Sequence, residues 1–171
     1  MFGFFKRKQA ATEPQQEVGE KVNTNASSGG DISYHPKLIE ELLKDHKDIL
    51  ALYGKINSAF EQQEYDQVSE MLKDFKSGLQ GHLLKENVRL YAYLEQQLKD
   101  DKINSELIHD FRQEMNEIAQ VAMRFLKKYN KIGVDSVLAA SFKTDFAEIG
   151  KVLVDRIQRE ESYLYTLYSS W

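Results

Sequence analysis

The chain contains no cysteine among its 171 residues. That excludes a disulfide framework, thiolate zinc sites, iron–sulfur clusters and a cysteine nucleophile together. Proline is nearly absent, with 2 residues, and 9 glycines are too few for a turn-rich β protein. No apolar run reaches the ~20 residues of a membrane span, or the ~7–15 of a signal-peptide core. A basic excess is missing too, since 23 Lys+Arg stand against 27 Asp+Glu for a net charge of −4. Nucleic-acid binders normally carry the opposite footprint, so no nucleic-acid partner is expected. Histidine is scarce, with 4 residues, at positions 35, 46, 82 and 109. Any metal or acid–base chemistry must therefore use very few of them. What is left is the composition of a helix-rich, cytoplasmic globule of one domain's size.

Residues 1–8, MFGFFKRK, place three phenylalanines before Lys6, Arg7 and Lys8. This reads either as the start of a tail or as a small tag making weak contact with a membrane surface or a partner, because aromatic and basic side chains together suit an interface. Residues 9–32 hold no aromatic and are rich in Gln, Glu, Ser, Asn, Thr and Gly. Such a stretch cannot bury enough apolar surface to offset its ordering entropy, so residues 1–32 are expected to form a disordered tail.

From residue 33 to 171 the pattern is helical. Ser33-Tyr34-His35-Pro36 is a start signal, with proline near a first turn where its missing N–H costs nothing. Leu38, Leu42, Ile49, Tyr53, Ile56 and Phe60 then recur at helical spacing. A second helix is read from Asp66 to Lys99 through Val68, Leu72, Phe75, Leu79, Leu90 and Leu98. A third follows Asn104-Ser105, read as its cap, and runs to Asn130 through Phe111, Met115, Ile118, Ala122 and Phe125. A fourth spans about Ser141 to Ser169 through Phe146, Ile149, Leu153 and Leu164. Four long amphipathic helices on short polar connectors predict an all-α, up-down-up-down antiparallel four-helix bundle.

Polar residues interrupt these stripes at mid-helix. The first seam steps Leu42, His46, Ile49, so His46 occupies a leucine position. The second steps Leu79, His82, Glu86, Leu90, and the fourth Leu153, Arg156, Glu160, Leu164. The third offers only Met115 at that level. In an up-down bundle these groups can converge at one height. Burying a charge costs several kcal/mol, so His46, His82, Glu86, Arg156 and Glu160 need one another or a metal. A carboxylate–imidazole metal site is one reading. A self-satisfied polar layer, with Arg156 neutralising Glu86 or Glu160, is the other. His35 and His109 read as surface residues, and Glu114 as a solvated outer-face charge. Tyr91, Tyr93, Tyr163, Tyr165, Tyr168 and Trp171 read as core and rim packing, or as a protein-docking surface.

The stretches Leu43-Lys44-Asp45-His46-Lys47-Asp48-Ile49-Leu50, Gly81-His82-Leu83-Leu84-Lys85-Glu86-Asn87 and Arg156-Ile157-Gln158-Arg159-Glu160-Glu161 resemble the hemerythrin-like family of four-helix bundles, across about residues 35–169. The resemblance implies a non-haem iron centre in oxygen binding, sensing or iron repair. It places His46, His82, Glu86 and Glu160 (or Glu161) at ligand positions. It also shows Met115, Ala119 and Arg156 where further histidines should stand, so a standard di-iron site is not expected. The expected state keeps the fold and holds no metal, with a mononuclear or vestigial iron as the alternative. The expected function is a sensory or regulatory module with a protein partner, and not an enzyme. A shorter stretch, Asp155 to Glu161, is similar to bacterial anti-sigma regulators of the AlgQ type. That likeness implies a metal-independent regulator of transcription.

Overall fold

The computed structural model describes residues 32–170. The tail expected over residues 1–32 (Ile32 apart), the membrane or partner tag in 1–8, and Trp171 lie outside the described residues. The described chain forms helix α1 (Leu38–Glu61), helix α2 (Tyr65–Lys85), helix α3 (Lys102–Tyr129) and helix α4 (Ala139–Arg159). Two of them do not stop at those bounds. Helix α2 continues through a π-helical turn, Glu86–Tyr91, into Ala92–Gln97. Helix α4 continues through a second π-helical turn, Glu160–Leu164, and a 3₁₀ turn, Tyr165–Leu167. No strand occurs among the described residues, and no helix there is long and apolar enough to cross a membrane.

Local chemistry sets the helix ends. Helix α1 closes with the Glu64 N–H bonded to the Ala59 carbonyl and the Gln63 N–H to the Phe60 carbonyl, both at 2.9 Å. That pairing is a Schellman closure, and it forces Gln63 to φ 61°. Helix α3 starts earlier than the Asn104-Ser105 signal suggests. Asp101 is extended, and its carboxylate accepts the Asn104 N–H at 3.1 Å, so Asp101 is the cap and the helix opens at Lys102. Asp135 caps the short Ser136–Leu138 turn before α4 in the same way, accepting the Val137 N–H. The break between α3 and α4 is at Gly133, where a Cβ would stand 2.6 Å from Asp66 Oδ1.

Side-chain pairings show that neighbouring helices run antiparallel. Along α1 and α2, Asp45 meets Lys85 while Glu41 meets Arg89. Along α2 and α3, Ser69 bonds to Asn130 and Glu95 to Arg112. Along α3 and α4, Lys128 meets Asp145 and Glu114 meets Arg156 and Arg159. The His35 N–H bonds to Tyr168 beside the start of α1, and Tyr53 bonds to the Phe146 carbonyl further along, so α1 and α4 are antiparallel too.

The apolar stripes meet in two separate clusters. One holds Ile56, Leu72, Phe75, Phe125, Tyr129, Phe142 and Phe146. The other holds Leu38, Leu42, Leu90, Tyr91, Leu94, Phe111, Leu164 and Tyr165. On α1, α2 and α4 the residues between the two clusters are the polar ones that break the stripes. The fold thus reserves one level of its interior for charge.

Candidate metal centre

The buried polar layer is made by His46 of α1, His82 and Glu86 at the end of α2, and Arg156 and Glu160 at the end of α4. None of them is more than 5% exposed. Both carboxylates stand at the first position of a π-helical turn. Such turns carry one extra residue and recur at functional sites. Here each one allows two consecutive side chains at its end to be buried, Leu90 with Tyr91 and Leu164 with Tyr165.

Donor atoms converge at the centre of the layer. His46 Nε2 lies 3.2 Å from His82 Nε2 and 3.3 Å from Glu160 Oε2. His82 Nε2 lies 3.8 Å from Glu86 Oε2. One donor atom from each of His46, His82, Glu86 and Glu160 falls within 4.8 Å of every other. The structure therefore brings together the four residues that the resemblance places at ligand positions.

A surrounding shell aims these donors. Glu161 Oε1 accepts from His46 Nδ1 at 2.8 Å, which turns Nε2 inward. Tyr165 donates to Glu86 Oε1 at 2.9 Å, which leaves Oε2 facing the imidazoles. Arg156 donates through Nε to Glu160 Oε1, again leaving Oε2 for the centre. Its other nitrogens bond to Tyr91 Oη at 2.6 Å and Glu114 Oε2 at 2.9 Å. The guanidinium also lies over the Phe111 ring at 4.7 Å. Arg156 thus occupies a histidine's place in α4 without turning away from the layer, because it holds the outer edge of Glu160.

Burial and neighbouring charge pull the protonation states apart. Burial, with the Glu160 charge beside it, pushes the Glu86 carboxyl up to about 8, so it is protonated near neutral pH. Burial and the charge on His46 push His82 down to about 4, leaving it neutral. Burial would lower His46 as well, but its bonds to Glu160 and Glu161 outweigh this and raise it. Burial opposes ionisation of Glu160 too, yet His46 and Arg156 hold its carboxyl low.

Among the described residues, two buried side-chain atoms, His82 Nδ1 and Glu86 Oε2, lack a hydrogen-bond partner, and the one at the centre, Glu86 Oε2, tests whether a cation fits. Asp45 Oδ2 stands 3.5 Å from His82 Nδ1 without completing a bond, and Lys85 pins it there at 2.7 Å. Glu86 Oε2 lies 3.8 Å from His82 Nε2, too far for a hydrogen bond, and a buried polar atom left without a partner is costly. An ion about 2.1 Å from each donor needs neighbouring donors roughly 3–4 Å apart, close to what is found. Two imidazoles and two carboxylates suit iron, zinc or manganese. The residues fit one ion and do not fit two. Met115 and Ala119 of α3 instead line a cavity of about 30 Å³ against His46, His82, Arg156 and Glu160.

Other expectations fare unevenly. His35 and His109 are exposed. Glu114 is not a free outer-face charge: it is half-buried and bridges Arg156 and Arg159. Tyr91 and Tyr165 are buried as packing residues should be, but their hydroxyls also serve the site, a role that seam position alone does not reveal. Tyr163 is 61% exposed and takes no part.

The family model described as Hemerythrin HHE cation binding domain matches residues 37–168, from the first turn of α1 to the last of α4. No curated protein and no solved structure matches the chain, so the second likeness, to anti-sigma regulators, gains no support. The chain belongs to the hemerythrin HHE cation-binding domain family.

Proposed function

We propose that this member of the hemerythrin HHE family holds a single metal ion, iron, on His46, His82, Glu86 and Glu160, and acts as a sensory or regulatory module rather than as an enzyme. The observation that carries the reading is the buried Glu86 Oε2, an atom without a partner on a residue whose donors converge with those of His46, His82 and Glu160. A layer that only satisfied itself would not leave that oxygen bare. When bound, iron supplies Lewis acidity and a one-electron redox change, the kind of signal a sensor reads.

The chain's own part is orientation. Glu161 fixes the His46 tautomer, Tyr165 and Arg156 each hold the outer oxygen of one carboxylate, and the apolar clusters on either side exclude water. Both π-helical turns start at a ligand, so a change at the ion acts directly on the last turns of α2 and α4. Those segments are the natural route to a protein partner.

The competing reading is a metal-independent interaction module, as in the anti-sigma alternative. Arg156 favours it, because a permanent cation already bonds to Glu160. Anaerobic loading with Fe(II), followed by desalting and metal analysis, separates the two. One iron per chain, lost in His82→Ala, supports the single-ion site. Absence of retained iron in the wild-type chain rejects it in favour of the metal-independent module.

A further inference from the structure

Resting on that single-ion reading, we propose that Tyr165 is a fifth ligand, whose phenolate oxygen binds the ion in its ferric state. Three observations point to it. Tyr165 Oη lies 2.9 Å from Glu86 Oε1 and 3.1 Å from His46 Nε2, as close as the four convergent donors lie to one another. The ring is buried and stacked on His46, with centroids 5.5 Å apart and planes at 12°, so the oxygen is held at the edge of the donor cluster, beside His46 Nε2. The π-helical turn Glu160–Leu164 immediately before it turns Tyr165 inward together with Leu164.

Charge balance sets the oxidation state. With Glu86 ionised by the ion, the carboxylates of Glu86, Glu114, Glu160 and Glu161 set against Arg156 and Arg159 leave two negative charges, which match a ferrous ion in a buried site. A ferric ion leaves one positive charge over, and uncompensated charge in a low-dielectric interior is costly. Tyr165 supplies the third negative charge. A one-electron outer-sphere oxidant such as ferricyanide takes one electron from the ion and is itself reduced to ferrocyanide. The phenolic O–H bond then breaks, the oxygen–metal bond forms, and the proton is released to solvent with no further electron transfer. In the ferrous state the phenol keeps its proton and its hydrogen bond to Glu86. The tyrosine therefore makes the site respond to its redox state through a protein group attached to the last turn of α4.

The test uses the full chain, loaded anaerobically with Fe(II), assayed for iron and then oxidised with ferricyanide. The expected result is a visible phenolate-to-iron charge-transfer band with tyrosinate ring modes in resonance Raman, both absent before oxidation. Tyr165→Phe keeps its iron and loses the band. Tyr163→Phe, at an exposed tyrosine outside the layer, keeps both. A ferric wild-type chain with one iron and no band overturns the proposal, as does a band that survives in Tyr165→Phe. Because the wild-type spectrum is decisive by itself, a variant that fails to fold does not block the test. Absence of bound iron from the start overturns the single-ion reading, and this proposal with it.

Discussion

Arg156 carries a permanent charge into a layer that already holds two carboxylates, and it is satisfied there by Glu160, Tyr91 and Glu114 at once. Removing one partner of a buried charge pair is expensive, because the other stays buried and uncompensated. Arg156→Ala should therefore lower the unfolding free energy by about 3–5 kcal/mol in urea titration. A loss below ~1 kcal/mol would mean that Glu160 is solvated or protonated instead. Glu114 makes a prediction about pH. Its bond to Arg159 holds its carboxyl below the usual 4.5, against a smaller opposing effect of burial. A lowered carboxyl contributes stability above its unfolded value and loses it as pH falls through the folded one. Wild-type protein should thus lose more stability than Glu114→Gln as pH drops below about 4.5. Equal acid sensitivity of the two proteins would show that the Arg159 bridge contributes nothing. The ligand-type residues were legible because each replaces an expected leucine on a three-four stripe. Glu114 and the tyrosine hydroxyls were not. A glutamate beside the seam looks solvated, and a tyrosine on it looks like packing.

At the scale of the helix, the two π-helical turns carried a signal in the spacing that periodicity alone passed over. Buried residues of α2 and its continuation include His82, Glu86, Leu90, Leu94 and Leu98, and those of α4 and its continuation include Arg156, Glu160, Leu164 and Tyr168. Successive steps of four drift by roughly 40° each around a regular helix, so such a run leaves the core unless a wider turn resets it. The end of α1 offers an independent check on helix chemistry. Gln63 pays the steric cost of a left-handed conformation that glycine adopts freely. Gln63→Gly should raise stability by about 1 kcal/mol, read as a higher urea midpoint at unchanged slope. A lower midpoint would mean that the Gln63 side chain contributes more than its backbone costs. The cap of α3 was misplaced in the sequence for a related reason. Asn104 and Ser105 are good cap residues by type, but Asp101 comes first and reaches the free N–H.

Across the whole molecule, the four-helix architecture was legible because each helix carries its own apolar face and the connectors are too short for any neighbour but the next. The polar layer was legible too, from exceptions placed at mid-helix on three helices, whereas the way the apolar side chains part into two clusters around it depends on packing that no single stripe reveals. The division asks what the layer is for. Replacing a buried ionic network with apolar groups of similar volume is often neutral or stabilising by about 1–4 kcal/mol. A variant carrying leucine at 46, 82, 86, 156 and 160 and phenylalanine at 91 and 165 joins the two clusters into one core. It should fold with helicity equal to the wild type and match or exceed its stability, in contrast to the single change at Arg156. It should also lose any stabilisation by iron, which for the wild-type chain amounts to about 2.7 kcal/mol when free iron stands at 100 times its dissociation constant. Thermal unfolding of both proteins with and without Fe(II) measures the two effects together. A variant that fails to fold would show that the layer specifies the bundle. A stable variant indifferent to iron would mean that His46, His82, Glu86, Arg156 and Glu160 are kept at the expense of a better core, and a ligand is the physical reason for such a sacrifice.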